Sequence, residues 1–212
     1  MTIKIITDSA CDLPQNLLDE YGIHVLPFLV FIEGEEFVAG ETIKEAQVYQ
    51  AIREGQVPKT AQVPTKIIVE AFKEYAAAGQ ECIYIAFSSK LSGTCNTARA
   101  VAAELKRNYP DFKITVCDTL SGSLGQGLIV LEAAQLALAG ASSQEIVARV
   151  NLRAKNNVEH IFSVDDLNYL YRGGRVGYAN AFLGGILNIK PILHVKDGLM
   201  IPIQKVRGKM RP

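Results

Sequence analysis

The chain has 212 residues, of which 49% are hydrophobic and 21% charged, enough for one large domain or two modest ones with a real core. Its 22 Lys and Arg balance 22 Asp and Glu, which argues against a broad electrostatic footprint for nucleic acid, though not against a local basic patch. The longest apolar run, residues 25–32, is far short of the roughly 18 residues of a membrane span, and a strand-like start ending at Asp8 is the wrong pattern for a signal peptide.

Residues 4–7 read as a short strand that ends in Asp8-Ser9. Leu13-Pro14 opens a helix to about Glu20, Pro14 suiting the first helical position. Residues 23–32 read as one continuous strand, followed by a turn at 33–36 into Phe37-Val38. Thr42 is placed to cap a helix over 43–53, with Glu45 three positions on as in a capping box. Residues 54–64 read as a polar loop, and 65–77 as a helix by the spacing of Ile68, Phe72 and Tyr75. Two similar units follow. The first is a strand at 81–87, a polar loop at 88–92 and a helix from Gly93-Thr94 to about Asn108. The second is a strand at 113–117, a polar loop at 118–123 and a helix from Leu124 to about Ala139. This alternation predicts a parallel sheet covered on both faces.

Ser142-Ser143-Gln144-Glu145 signals another helix start, and that helix ends near Asn156-Asn157. The pattern then changes to a strand at 158–164, a short helix at 165–171, a break at Arg172-Gly173-Gly174-Arg175 and a helix at 180–187. Strands at 191–195 and 199–204 flank Asp197-Gly198, the strongest short hairpin signal in the chain. The expected fold is α/β over residues 1–157, a mostly parallel sheet between helices, followed by an α+β domain over 158–212.

In a parallel sheet, the loops leaving the carboxyl ends of the strands form the ligand crevice. Three of them are rich in hydroxyls: Thr7-Asp8-Ser9, residues 88–94 and residues 118–123. Gly93 and Thr94 also start a helix, whose N–H groups and dipole favour an anion. Gly93 would let the backbone approach a ligand, and the Ser92 hydroxyl could donate to a carboxylate or phosphate oxygen. The same residues could instead do no more than cap helices and shape turns.

Several arrangements are missing: a P-loop, a GxSxG elbow and any metal spacing among His24, His160 and His194. Asp165-Asp166 could be an acid–base pair, but both precede an apolar run and suit a helix start. No nucleophile is paired with a base, so no catalytic residue, metal or cofactor is expected. Cys11, Cys82, Cys95 and Cys117 form no CxxC pair, which suits a reducing cytoplasm. Arg172, Arg175, Lys205, Arg207, Lys209 and Arg211 supply local charge for a solvated face or a docked partner.

These segments together resemble one family. Ile6-Thr7-Asp8-Ser9-Ala10-Cys11-Asp12-Leu13-Pro14 is similar to the opening of DegV proteins, and Thr60-Ala61-Gln62-Val63-Pro64 to their Thr-Ser-Gln-Pro loop. Ser88-Ser89-Lys90-Leu91-Ser92-Gly93-Thr94 matches their Ser-Ser-x-Leu-Ser-Gly-Thr motif. Val116-Cys117-Asp118-Thr119 with Ser123-Leu124-Gly125-Gln126-Gly127 resembles the family's Asp-Ser loop and Gly-rich helix. The segment from Asp166 through Arg172-Gly173-Gly174-Arg175, then Leu187-Asn188-Ile189-Lys190-Pro191 and Asp197-Gly198, completes the series in family order.

The resemblance implies a cytoplasmic protein, not itself an enzyme, that holds a long-chain fatty acid such as palmitate or oleate in a buried slot. Its carboxylate would meet the family's hydroxyls, which carry over to Thr60 and Ser92. With the hydroxyl loops, the candidate ligand residues are Thr60, Gln62, Ser92, Gly93, Thr94 and Ser9. Some members present the bound acid to a fatty acid kinase, and Arg172 and Arg175 are the candidate docking residues. No nucleic acid partner and no stable membrane insertion are expected. Ala61 replaces a Ser common in the family, which removes one hydrogen bond but leaves Thr60 and Gln62. Members run on well past the hairpin, to a Gly-Pro-Gly segment with a nearby His facing the carboxylate, so the second domain is expected to be incomplete. Two other functions fit the same residues: an enzyme using the loops as a cradle for a small phosphorylated or carboxylated substrate, or an interaction module with a vestigial pocket.

Overall fold

The computed structural model describes residues 3–164, 170, 173–175 and 189–207. Four strands, β1 (Lys4–Asp8), β2 (His24–Leu26), β6 (Cys82–Ala86) and β7 (Ile114–Asp118), form a parallel sheet in the order β2-β1-β6-β7. Side chains alternate across it with period two. Ile6, Tyr84 and Ile114 point to one face, while Ile5, Ile83, Ile85 and Cys117 point to the other.

On the first face lie α3 (Thr65–Ala77) and α4 (Thr94–Asn108), which contribute Ile68, Phe72, Ala98, Val101 and Leu105. On the second lie α5 (Ser123–Leu138) and α6 (Ser143–Leu152), contributing Ile129, Val130, Ala133, Ile146 and Val150. Central strands covered on both sides need continuous apolar runs, and every residue of β6 is buried. Helix α6 starts at the expected box: Ser142 Oγ accepts from Glu145 N, and the Glu145 carboxylate accepts from Ser142 N. Helix α5 also carries leucines on its outer face, so Leu124 and Leu128 remain exposed.

Three local expectations are corrected. The continuous strand at 23–32 is two strands in two sheets: β2, and β3 (Leu29–Ile32), which lies between β4 (Glu35–Val38) and β5 (Lys59–Ala61) in an antiparallel sheet of order β4-β3-β5. Pro27, which lacks an N–H, and Phe28 carry the chain between them. The polar loop at 54–64 contains β5 (Lys59–Ala61), which pairs Thr60 with Val30. Thr42 does not cap a helix; its hydroxyl accepts from Val38 N at the end of β4 (Glu35–Val38). Helix α2 (Glu45–Arg53) starts later, with Gln47 Oε1 accepting from Lys44 N.

A third sheet joins β8 (Ile161–Ser163), β9 (Ile189–Lys196) and β10 (Leu199–Arg207) antiparallel in the order β10-β9-β8. Strands β9 and β10 meet at the expected two-residue turn, with Asp197 at φ 51° and Gly198 at φ 81°, the pair of positive values a type I′ hairpin requires. The helices expected at 165–171 and 180–187, the Asp165-Asp166 pair, Arg172, Lys209 and Arg211 lie outside the described residues, apart from Leu170. Among the described residues, no helix is long and apolar enough to cross a membrane.

Candidate functional site

The connection after β1 runs to its neighbour β2 on one side, and the connection after β6 runs to its neighbour β7 on the other. The carboxyl ends of β1 and β6 therefore flank the crevice where parallel sheets take ligands. A cleft of about 350 Å³ opens at the loop after β6, lined by Gln62, Ser89, Lys90, Leu91, Ser92, Gly93 and Arg175.

Ser92 is half-buried in the loop between β6 and α4. Its Oγ lies 2.9 Å from the Thr94 hydroxyl and accepts from Thr94 N at 3.2 Å. Thr94 is fully buried, one layer below, and its Oγ1 also accepts from Val63 N at 3.3 Å. Ser92, one residue before the N-cap Gly93, thus accepts from the first N–H of α4 and still lines the cleft. Gln62 reaches the same place from the segment after β5, its amide donating to Thr97 Oγ1 at 3.2 Å.

Any preference for glycine at position 93 comes from crowding by the end of the Gln62 side chain and not from its backbone. Its φ of −72° is open to any residue, but an added Cβ would lie 2.2 Å from Gln62 Oε1. The close approach expected of a ligand is taken by the Gln62 side chain. Thr60 is exposed on β5, two residues before Gln62, and does not line the cleft. Ser9 is also elsewhere: its hydroxyl accepts from Phe28 N at 3.0 Å and holds the passage between β2 and β3. Of the six candidate ligand residues, the cleft brings together Gln62, Ser92 and Gly93, with Thr94 directly beneath.

Arg175, expected at a docking surface, lines the cleft, and its Nε donates to Leu91 O at 3.4 Å. No local pattern announces this, because the partners are 84 residues apart in sequence. Lys90 adds a second cation to the lining.

Beneath the cleft is a polar network. Asp8, fully buried at the end of β1, accepts from Tyr84 OH and Phe87 N at 2.9 Å through Oδ2. Its Oδ1 accepts from Gln126 Nε2 at 3.1 Å and Ala10 N at 3.3 Å. Burial pushes its pKa up, and these donors partly oppose the rise. Asp118, at the end of β7, accepts from Ser89 N at 3.2 Å and Leu120 N at 3.0 Å, tying two loops together. Thr119 donates to Ala86 O at 2.8 Å. Most hydroxyls and carboxylates of the three loops therefore hold backbone, as the structural reading of the sequence allowed. Among the described residues, Ser89 and Ser92 are the hydroxyl residues that line the cleft. His24 pairs with Tyr75 OH at 2.8 Å, and His194 with Glu159 at 3.0 Å, both away from the cleft.

The family model described as "Uncharacterised protein, DegV family" matches residues 2–211. A DegV domain-containing protein of Clostridium perfringens is 40% identical over 210 residues, covering 98% of this chain and 72% of the relative. One from Caldanaerobacter subterraneus is 38% identical over 209 residues, covering 99% of this chain and 73% of the relative. Among solved structures, a fatty-acid-binding DegV family protein from Thermus thermophilus superposes with a TM-score of 0.85 at 36% identity, covering 98% of this chain and 72% of that one. A stearic-acid-binding protein from Eubacterium ventriosum gives 0.89 at 26% identity, over 98% of this chain and 71% of that one.

Proposed function

The chain belongs to the DegV family, and from that premise we propose that it is a carrier for a long-chain fatty acid whose carboxylate sits at the Ser92 cleft. The observation that carries this reading is the Thermus thermophilus relative, which binds fatty acid and shares its fold with 98% of this chain. The cleft suits an anionic head group, with the Ser92 hydroxyl, the Gln62 amide and the cations Arg175 and Lys90 around it.

The energetics are adequate. Burying about 14 methylenes at roughly 0.8 kcal/mol each yields on the order of 11 kcal/mol. Association and ordering take back several kcal/mol, which leaves a micromolar to sub-micromolar Kd. Taking the carboxylate out of water costs several kcal/mol unless it is hydrogen-bonded, and the cleft supplies donors for that purpose. A head group held at an open cleft stays within reach of a kinase, so the carrier presents the acid rather than transforming it. The chain needs no cofactor for this role. Its cysteines, free and buried at positions 11, 82, 95 and 117, suit a reducing cytoplasm.

The first test is solvent extraction of the purified protein followed by mass spectrometry, with a parallel titration of palmitate. A stoichiometric fatty acid and weaker binding by Ser92→Ala are expected. An empty extract together with no uptake of palmitate or oleate would overturn the carrier reading.

A further inference from the structure

We infer that the tip of the β9–β10 hairpin is a clasp that positions the head-group loop, with Ser88 as its pin. The clasp rests on the carrier reading only for its effect on ligand. Its geometry stands independently.

Ser88 is fully buried at the start of the loop that carries Ser92. Its hydroxyl donates to Gly198 O at 2.8 Å, across 110 residues of sequence, and accepts from Lys90 N at 3.2 Å. Its carbonyl accepts from Leu91 N at 3.0 Å and Ser92 N at 3.1 Å. One residue therefore fixes both the hairpin tip and the turn that presents Ser92. The fit at the tip is close. A Cβ on Gly198 would lie 2.6 Å from Ser88 Oγ, 2.9 Å from Lys90 Cγ and 3.2 Å from Leu120 Cδ2.

Glycine is needed at position 198 twice over, for that closeness and for its φ of 81°. Leu120, the third wall, is itself in the left-handed region at φ 49°, a conformation that costs an ordinary residue free energy and persists where surroundings hold it. Its N–H is bonded to Asp118 Oδ1, the same oxygen that accepts from Ser89 N. The hairpin, the loop after β6 and the loop after β7 thus meet at one point, directly behind the lining of the cleft. Arg175 joins the cleft from the other side through Leu91 O.

It follows that Ser88 and Gly198 are positioning residues: they touch no ligand, but they set the shape in which Ser92 is offered. A ligand held by a loop that can open leaves faster, so losing the clasp should act mainly on dissociation.

The test is amide hydrogen exchange on peptides covering residues 86–94 and 193–201, in the wild-type chain, Ser88→Ala and Gly198→Ala. The amides of 89–92 all have acceptors, so their opening is readable. Both variants are expected to exchange about tenfold faster at 89–92, while α3 and α6 keep wild-type rates. Palmitate dissociation should speed up about tenfold in Ser88→Ala, with association within about twofold. Wild-type exchange at 89–92 in both variants overturns the clasp, as does faster exchange spread evenly over the whole chain. If the wild-type chain takes up no palmitate, the carrier reading fails, and the exchange data alone support or overturn the clasp.

Discussion

Placing alanine at position 93 tests the crowding at the cleft. The backbone there is helical, so Gly93→Ala should by itself stabilise the chain by about 0.4–1 kcal/mol through the unfolded state. The added methyl, however, would come 2.2 Å from Gln62 Oε1, where ordinary contact begins at 3.4 Å. The amide must swing away by more than an ångström and give up its bond to Thr97 Oγ1, at a net cost of about 1 kcal/mol.

The two effects nearly cancel in the wild-type background. They separate in Gln62→Ala, where no amide stands in the way and Gly93→Ala should be stabilising. The expected coupling is that clash cost, about 1 kcal/mol, or about 2–4 °C in Tm for a chain of this size. A double-mutant cycle by urea unfolding measures it directly. Palmitate affinity should fall in Gly93→Ala, because Gln62 leaves the lining. A coupling under about 0.5 kcal/mol would refute the crowding argument.

Three further outcomes are expected. Phe72→Ala removes a fully buried ring set edge-on to Tyr84 at 5.9 Å, and should cost about 3–5 kcal/mol in chemical denaturation. Tyr84→Phe deletes a buried donor to Asp8 and should cost about 2 kcal/mol, leaving the denaturant m-value unchanged. Glu132 is held below the usual carboxylate range, first by the hydrogen bond from Arg153 and then by that from Arg149, against its partial burial. Its folded pKa is depressed, so its contribution is present above the unfolded value and is lost as pH falls through the folded one. Glu132→Gln should therefore cost on the order of 1 kcal/mol at pH 7 and nothing once both forms are protonated in acid. A cost independent of pH would count against the ion pairs as its source.

Local chemistry made much of this protein legible in its sequence. The two strand–loop–helix units at 81–139 appear as β6, α4, β7 and α5 because short apolar runs and helical spacing act within a few residues. Asp197-Gly198 specified its turn because few residue pairs tolerate two positive φ values. The motif of residues 88–94 falls in the loop whose Ser92 and Gly93 line the cleft.

What failed were inferences that depend on distant partners. An apolar run cannot reveal that Pro27 divides it between two sheets, nor can a polar stretch reveal that Thr60 will pair with Val30. The uses of the hydroxyls were hidden in the same way. In the fold, Ser9 accepts from Phe28 N and Thr60 lies exposed on β5, while Ser92 lines the cleft. Arg175 at Leu91 O and Ser88 at Gly198 O join residues 84 and 110 apart. Turn and helix preferences are written in neighbouring side chains, and so the sequence alone determined most of the elements and the family. Which hydroxyl faces a ligand and which holds backbone is decided by what packs against it, and only the tertiary structure brings those groups together.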